Sequence, residues 1–210
     1  NVAVDNKKRD SCSVMMKERF VRTTYAAVAE DRFGMCIAIN IEGEEAIVKI
    51  AVDAMGGDNA PGEIVAGAVM AAQSREDIQI FLIGKEEVVS EELKKHTYKK
   101  EQIEVVNATE VIETEEPPVN AIRHKKDSSI VVGMKKVRCG EADAFVSAGS
   151  SGAILVGGQV IVGRIRGIER PPLAPIIPTE SGVSLIIDCG ANVDARPSHL
   201  VQFAKMGSIY

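Results

Sequence analysis

From Val48 onward, short β-branched apolar runs alternate with stretches whose apolar residues return every three or four positions. The run at 48–53 predicts a buried strand. Residues 61–74 place Ile64, Val65, Ala68, Val69 and Ala72 on one helix face. Asp58 or Asn59 is expected to cap that helix, with Pro61 in its first turn. Residues 78–84 predict a second strand, 85–100 a solvated helix and turn, and 102–106 a third strand. The acidic stretch 111–118 holds a double proline and reads as a surface loop. A second cycle follows, with helix 128–137, strand 142–146 and helix 151–165. After a proline-rich break at 170–175 come strand 183–188 and helix 197–206. This alternation predicts an α/β fold, a three-layer α/β/α arrangement on a mostly parallel sheet.

Residues 1–46 do not join the rhythm, although 35–41 has the character of an edge strand. They are expected to form a separate, poorly ordered extension, the alternative being an arm for a partner. Residues 47–210 form the α/β unit.

Composition narrows the class. The chain has 210 residues, 45% of them hydrophobic, enough for one sizeable core. Aromatic residues make up only 4%, and the abundance of Ala, Val, Ile and Gly suits helices packed closely on a parallel sheet. A formal net charge of −5 argues against a nucleic-acid partner. Neither the four cysteines nor the three histidines have zinc-site spacing, so no metal and no cofactor is expected, and the thiols should be reduced and mostly buried. No charge-free apolar stretch reaches the roughly 18 residues of a membrane span. The N-terminal segment lacks the apolar core of a signal peptide. A cytoplasmic location is expected.

Three predicted strands end in polar or glycine-rich turns that lead into helices. The turns contain Asp53, Gly56, Gly57, Asp58 and Asn59, then Gly149, Ser150, Ser151 and Gly152, then Asp188, Gly190 and Asn192. In one parallel sheet all three would open at the carboxyl edge, where ligands settle if strand order reverses. Glycine admits a ligand close to the backbone, and amides at a helix start favour an anion such as phosphate. Ordinary connection chemistry is the alternative for each turn taken singly. Neither G-x-G-x-x-G after the first strand nor a P-loop is present. The acids would repel phosphate at close range, so capping a helix, holding loop amides or orienting a cation are their expected roles. Lys125 and Lys126 lie in a basic run before helix 128–137. Arg164, Arg166 and Arg170 form a second basic stripe. Solvated surface is the alternative for both.

Five blocks resemble bacterial PlsX phosphate acyltransferases: Ile50-Ala-Val-Asp-Ala-Met-Gly-Gly-Asp-Asn-Ala-Pro61, Lys125-Lys-Asp-Ser-Ser129, Ala142-Asp-Ala-Phe-Val-Ser-Ala-Gly149, Val162-Gly-Arg-Ile-Arg-Gly-Ile168 and Asp188-Cys-Gly-Ala-Asn-Val-Asp194. The resemblance runs in order from about Val48 to Tyr210. It implies transfer of a fatty acyl group from acyl carrier protein to inorganic phosphate, giving acyl phosphate for phospholipid synthesis. A homodimer working at the inner membrane surface is implied too, with a fold similar to the isocitrate/isopropylmalate dehydrogenase and phosphotransacetylase type.

On this reading Gly56, Gly57, Asp58, Gly149, Ser151 and Gly152 bind phosphate. Asp53, Asn59, Lys125, Lys126, Ser150 and Asn192 serve the chemistry, while Arg164, Arg166 and Arg170 dock the carrier protein. The small-residue helix 152–162 either lines an acyl channel or packs in the core. Three departures stand out. The family's usual Asn-Thr is Ser150-Ser151 here, family members continue past Tyr210, and residues 1–46 have no familiar counterpart. A truncated, non-catalytic relative that binds the carrier or a partner subunit, and a phosphotransacetylase-like enzyme using coenzyme A thioesters, are the rival readings.

Overall fold

A computed structural model describes residues 47–180 and 182–209; the expectations for 1–46, Cys12 and Cys36 among them, fall outside these residues. Four strands form one parallel sheet: β1 (Val48–Asp53), β2 (Ile78–Gly84), β3 (Ile103–Asn107) and β4 (Ala144–Val146). Their spatial order is β3-β2-β1-β4. The chain therefore winds outward from β1 through β2 to β3, then returns to the other side of β1.

Side-chain alternation decides which face each helix covers. Val48, Val52, Ile78, Ile80, Leu82 and Ile103 pack with Val65, Val69 and Ala72 of α1 (Gly62–Ser74) and Val89 and Leu93 of α2 (Glu86–Leu93). On the opposite face Ala51, Phe81 and Ile83 meet Val132 and Val137 of α4 (Ser129–Arg138). A third cluster joins α4 to α3 (Pro118–His124) and α5 (Ser151–Gly157) through Ile122, Ile130, Met134 and Ala153. Helices thus cover both faces of a parallel sheet, the three-layer α/β/α arrangement the sequence predicts. Among the described residues no helix is long and apolar enough to cross a membrane.

The structure corrects several local expectations. Pro118 opens helix α3 where a loop was predicted, because a proline fits the first helical turn. Pro61 occupies the N-cap of α1, so neither the Asp58 nor the Asn59 side chain caps it; only the Asn59 carbonyl contributes, accepting from Glu63 N at 3.2 Å. Helix 151–165 is interrupted. α5 passes into a π turn at Gly158–Val162, and the chain leaves helical geometry at Gly163, φ 102°. Cys139 and Cys189 are exposed rather than buried.

The largest correction concerns strand 183–188. Ile176–Thr179 (β5) and Gly182–Leu185 (β6) pair antiparallel as a separate two-stranded sheet. Two short apolar runs joined by a turn close on each other more readily than either reaches the main sheet. Helix α6 (Pro197–Gly207) follows, with His199 and Phe203 buried.

Candidate functional site

Strand order reverses between β1 and β4, which makes their carboxyl ends the switch point of the sheet. Val52 is paired with Val146, so the next residues along, Asp53 and Ser147, stand side by side. Two of the three predicted turns, 54–59 and 147–152, therefore leave the sheet together.

Asp53 joins them. It is 1% exposed, on the α4 side of β1. Ser147 Oγ donates to its Oδ2 at 2.7 Å, and Met55 N donates to Oδ1 at 3.1 Å. Burial pushes the Asp53 carboxyl above the ordinary 3.8, opposed by the Ser129 and Ser147 hydroxyls and the Met55 and Gly56 amides. Ser147 Oγ in turn accepts from Gly149 N at 3.0 Å. Sequence reasoning assigned no role to Ser129 or Ser147. Both lie inside the quoted blocks, but only the pairing of β1 with β4 reveals their common partner.

Gly56 sits in the narrowest part of this arrangement. A Cβ there would lie 2.5 Å from Asp53 Oδ2 and 2.8 Å from Gly149 N. Gly57, at φ 95°, turns the chain where an L side chain would be strained. In the second turn Ser150 is 3% exposed and caps α5, its Oγ accepting from Ala153 N at 3.3 Å. Among the described residues no acceptor takes up the amides of Gly57 and Asp58 in the first turn, or of Ser151 and Gly152 in the second. Asp58, Asn59 and Ser151 are exposed at the surface of the two turns.

The other predicted residues are placed differently. Lys125 is ion-paired with Glu116 and donates to Val111 O at 2.6 Å, clasping the 111–116 loop. Lys126, just past the end of α3, is exposed and donates back to Ile122 O at 3.2 Å. Arg164 donates to Glu169 O at 2.5 Å, and Arg170 pairs with Asp194 at 2.7 Å; Arg166 is exposed.

The third turn follows the β5–β6 hairpin, not the parallel sheet, so the expected meeting of three turns at one edge reduces to two. Its polar groups also serve one another. Asp188 accepts from Leu173 N at 2.7 Å, Asn192 N at 2.6 Å and Ala191 N at 3.3 Å, while Asn192 Nδ2 donates to Asp188 and to Pro171 O. Burial pushes Asp188 upward, but these donors outweigh it and hold the carboxyl below its ordinary 3.8. Its stabilising contribution is thus present above that value and is lost as pH falls through the lower native one. Asp188→Ala should raise hydrogen exchange at the Leu173, Ala191 and Asn192 amides on the order of tenfold, leaving β1 and β2 protected.

A family model described as "Fatty acid synthesis protein" matches residues 48–210. The chain belongs to that family. Its relatives in the family include the phosphate acyltransferase of Clostridium beijerinckii, 56% identical over 163 residues, 78% of this chain and 49% of the relative. The phosphate acyltransferases of Alkaliphilus oremlandii and Clostridium novyi are 52% and 50% identical over the same length, 78% of this chain and 48% and 49% of theirs. The chain spans about half the length of the curated relatives it matches. Both glycine turns, the clasp and the Asp188 loop lie within the matched stretch. Among the described residues no group of His, Cys, Asp and Glu is arranged to hold a metal ion.

Proposed function

We propose that this chain supplies the phosphate-holding side of an acyl transfer, in which a fatty acyl group passes from an acyl carrier protein thioester to inorganic phosphate. The observation that carries this reading is the pair of glycine turns at the switch point, with the Gly57, Asp58, Ser151 and Gly152 amides unclaimed. Phosphate needs no protein nucleophile, because one of its own oxygens attacks the thioester carbonyl. A tetrahedral oxyanion forms, the thiolate leaves, and acyl phosphate is the product. The protein's task is to hold the anion in line and to balance charge.

In this scheme the four amides receive phosphate, and the exposed ammonium of Lys126 balances its charge. Ser150, whose Oγ already accepts from the α5 amide, keeps a proton to donate. Arg166 is the best placed of the three arginines to meet an acidic carrier, since Arg164 and Arg170 are engaged within the chain. The family resemblance supports the wider setting of phospholipid synthesis, a homodimer and contact with the inner membrane surface.

The test follows thiol release by the full chain with phosphate and either acyl carrier protein thioester or acyl coenzyme A. Phosphate-dependent release from the carrier is expected, slowing as salt screens the arginine contact. Release from coenzyme A alone would assign a phosphotransacetylase-like activity instead, and release from neither would leave a binding role.

A further inference from the structure

We infer that Asp53 is a positioning residue, whose carboxylate sets the phosphate geometry by locking the turn after β1 against the turn after β4. The inference rests on the phosphate reading above. A backbone N–H can only donate, so Ser147 Oγ accepts from Gly149 N and turns its own proton to Asp53 Oδ2. The relay Gly149 N–H to Ser147 Oγ–H to Asp53 Oδ2 has one direction only, with distances of 3.0 and 2.7 Å. On its other side Asp53 accepts from Met55 N, and the Gly56 amide acts on it in the same sense. Ser129, the first residue of α4 and itself 1% exposed, adds a third element to the lock.

The consequence is a sorting of amides. Those at Met55 and Gly149 are satisfied inward by the carboxylate or through its serine. The amides one step further out, at Gly57, Asp58, Ser151 and Gly152, are left to face a ligand. Asp53 acts as an internal stand-in anion that never touches the substrate. It also explains why three separated sequence blocks belong together: 50–61 supplies the carboxylate, 142–149 the relay serine and 125–129 the helix start. Burying a charge is costly without such pairing, and an apolar residue would fill the same space without holding either turn.

The experiment is a titration of the isotopically labelled full chain with inorganic phosphate, reading amide shifts at Gly57 and Gly152, for wild type, Asp53→Asn and Ser147→Ala. Wild type should bind, with both variants weakened about tenfold, the worth of one good buried hydrogen bond. A merely structural role would lower the unfolding midpoint and leave the affinity of the folded molecules unchanged. If Asp53→Asn does not fold, Ser147→Ala decides, since it keeps the carboxylate. Wild-type affinity in the folded variants overturns this inference alone. A wild type without phosphate affinity removes the reading beneath it, and the inference with it.

Discussion

Gly56→Ala should cost phosphate-dependent turnover about a hundredfold, the usual effect of displacing a reacting group by about an ångström. The added methyl would lie 2.5 Å from Asp53 Oδ2, 2.8 Å from Gly149 N and 3.0 Å from Ser147 Oγ. None of these atoms is the loose end of a flexible chain. Asp53 is buried and fixed by donors from both sides, and Gly149 N belongs to the neighbouring backbone. The turn at 54–59 must therefore move away from the turn at 147–152, which separates the two pairs of open amides. Gly149→Ala is the control, because a Cβ there would meet its neighbours at 3.2 to 3.4 Å and asks them to give only slightly. It should retain activity within about tenfold, at roughly 1.4 kcal/mol. Initial rates against phosphate concentration separate the two, and equal kinetics would show that the turns do not act as a pair.

Gly133→Ala should lower stability by about 1–3 kcal/mol, although alanine is the better helix former by about 1 kcal/mol. Gly133 lies within α4, where the helix passes over β4. A Cβ at this position would press on the edge of the Phe145 ring, 2.5 Å from Cδ2 and nearer still to Cε2, and would come 3.1 Å from Ile83 Cδ1. Phe145 cannot simply swing aside, since it packs in the clusters on both sides of α4. Either the ring or the helix shifts, and Ser129 moves with the helix. Urea unfolding should show a lower midpoint at an unchanged slope. A midpoint equal to or above that of wild type would mean the helix–sheet gap has room to spare.

The parallel sheet was legible because its strands are continuous apolar runs, as strands covered on both faces must be. Those at 48–53 and 78–84 match the structure end to end. What the pattern does not carry is neighbour order. Nothing in residues 142–149 says that β4 lies beside β1, and without that pairing Ser147 is one serine among many. The same limit misplaced the third turn. Val183 to Leu185 has the composition of a sheet strand, but composition does not distinguish a partner in the main sheet from the run just upstream with which it pairs. Ile176-Ile177 lay hidden in a proline-rich stretch, so the hairpin partner went unread. Helix α3 was missed for a related reason: a double proline signals a break, and here the second proline also begins the next helix. Lys125 shows the limit for charges, because its ion pair with Glu116 depends on how the 111–116 loop folds back.

Parallel strands stand about 4.8 Å apart, and the two turns leave neighbouring strands. The ladder fixes where each turn begins, and the buried Asp53–Ser147 lock sets how closely the two run from there. A molecular ruler of that kind measures its guest by size: changes of surface residue tune charge and approach, while the width offered to the oxyanion stays constant so long as both the ladder and the buried lock hold.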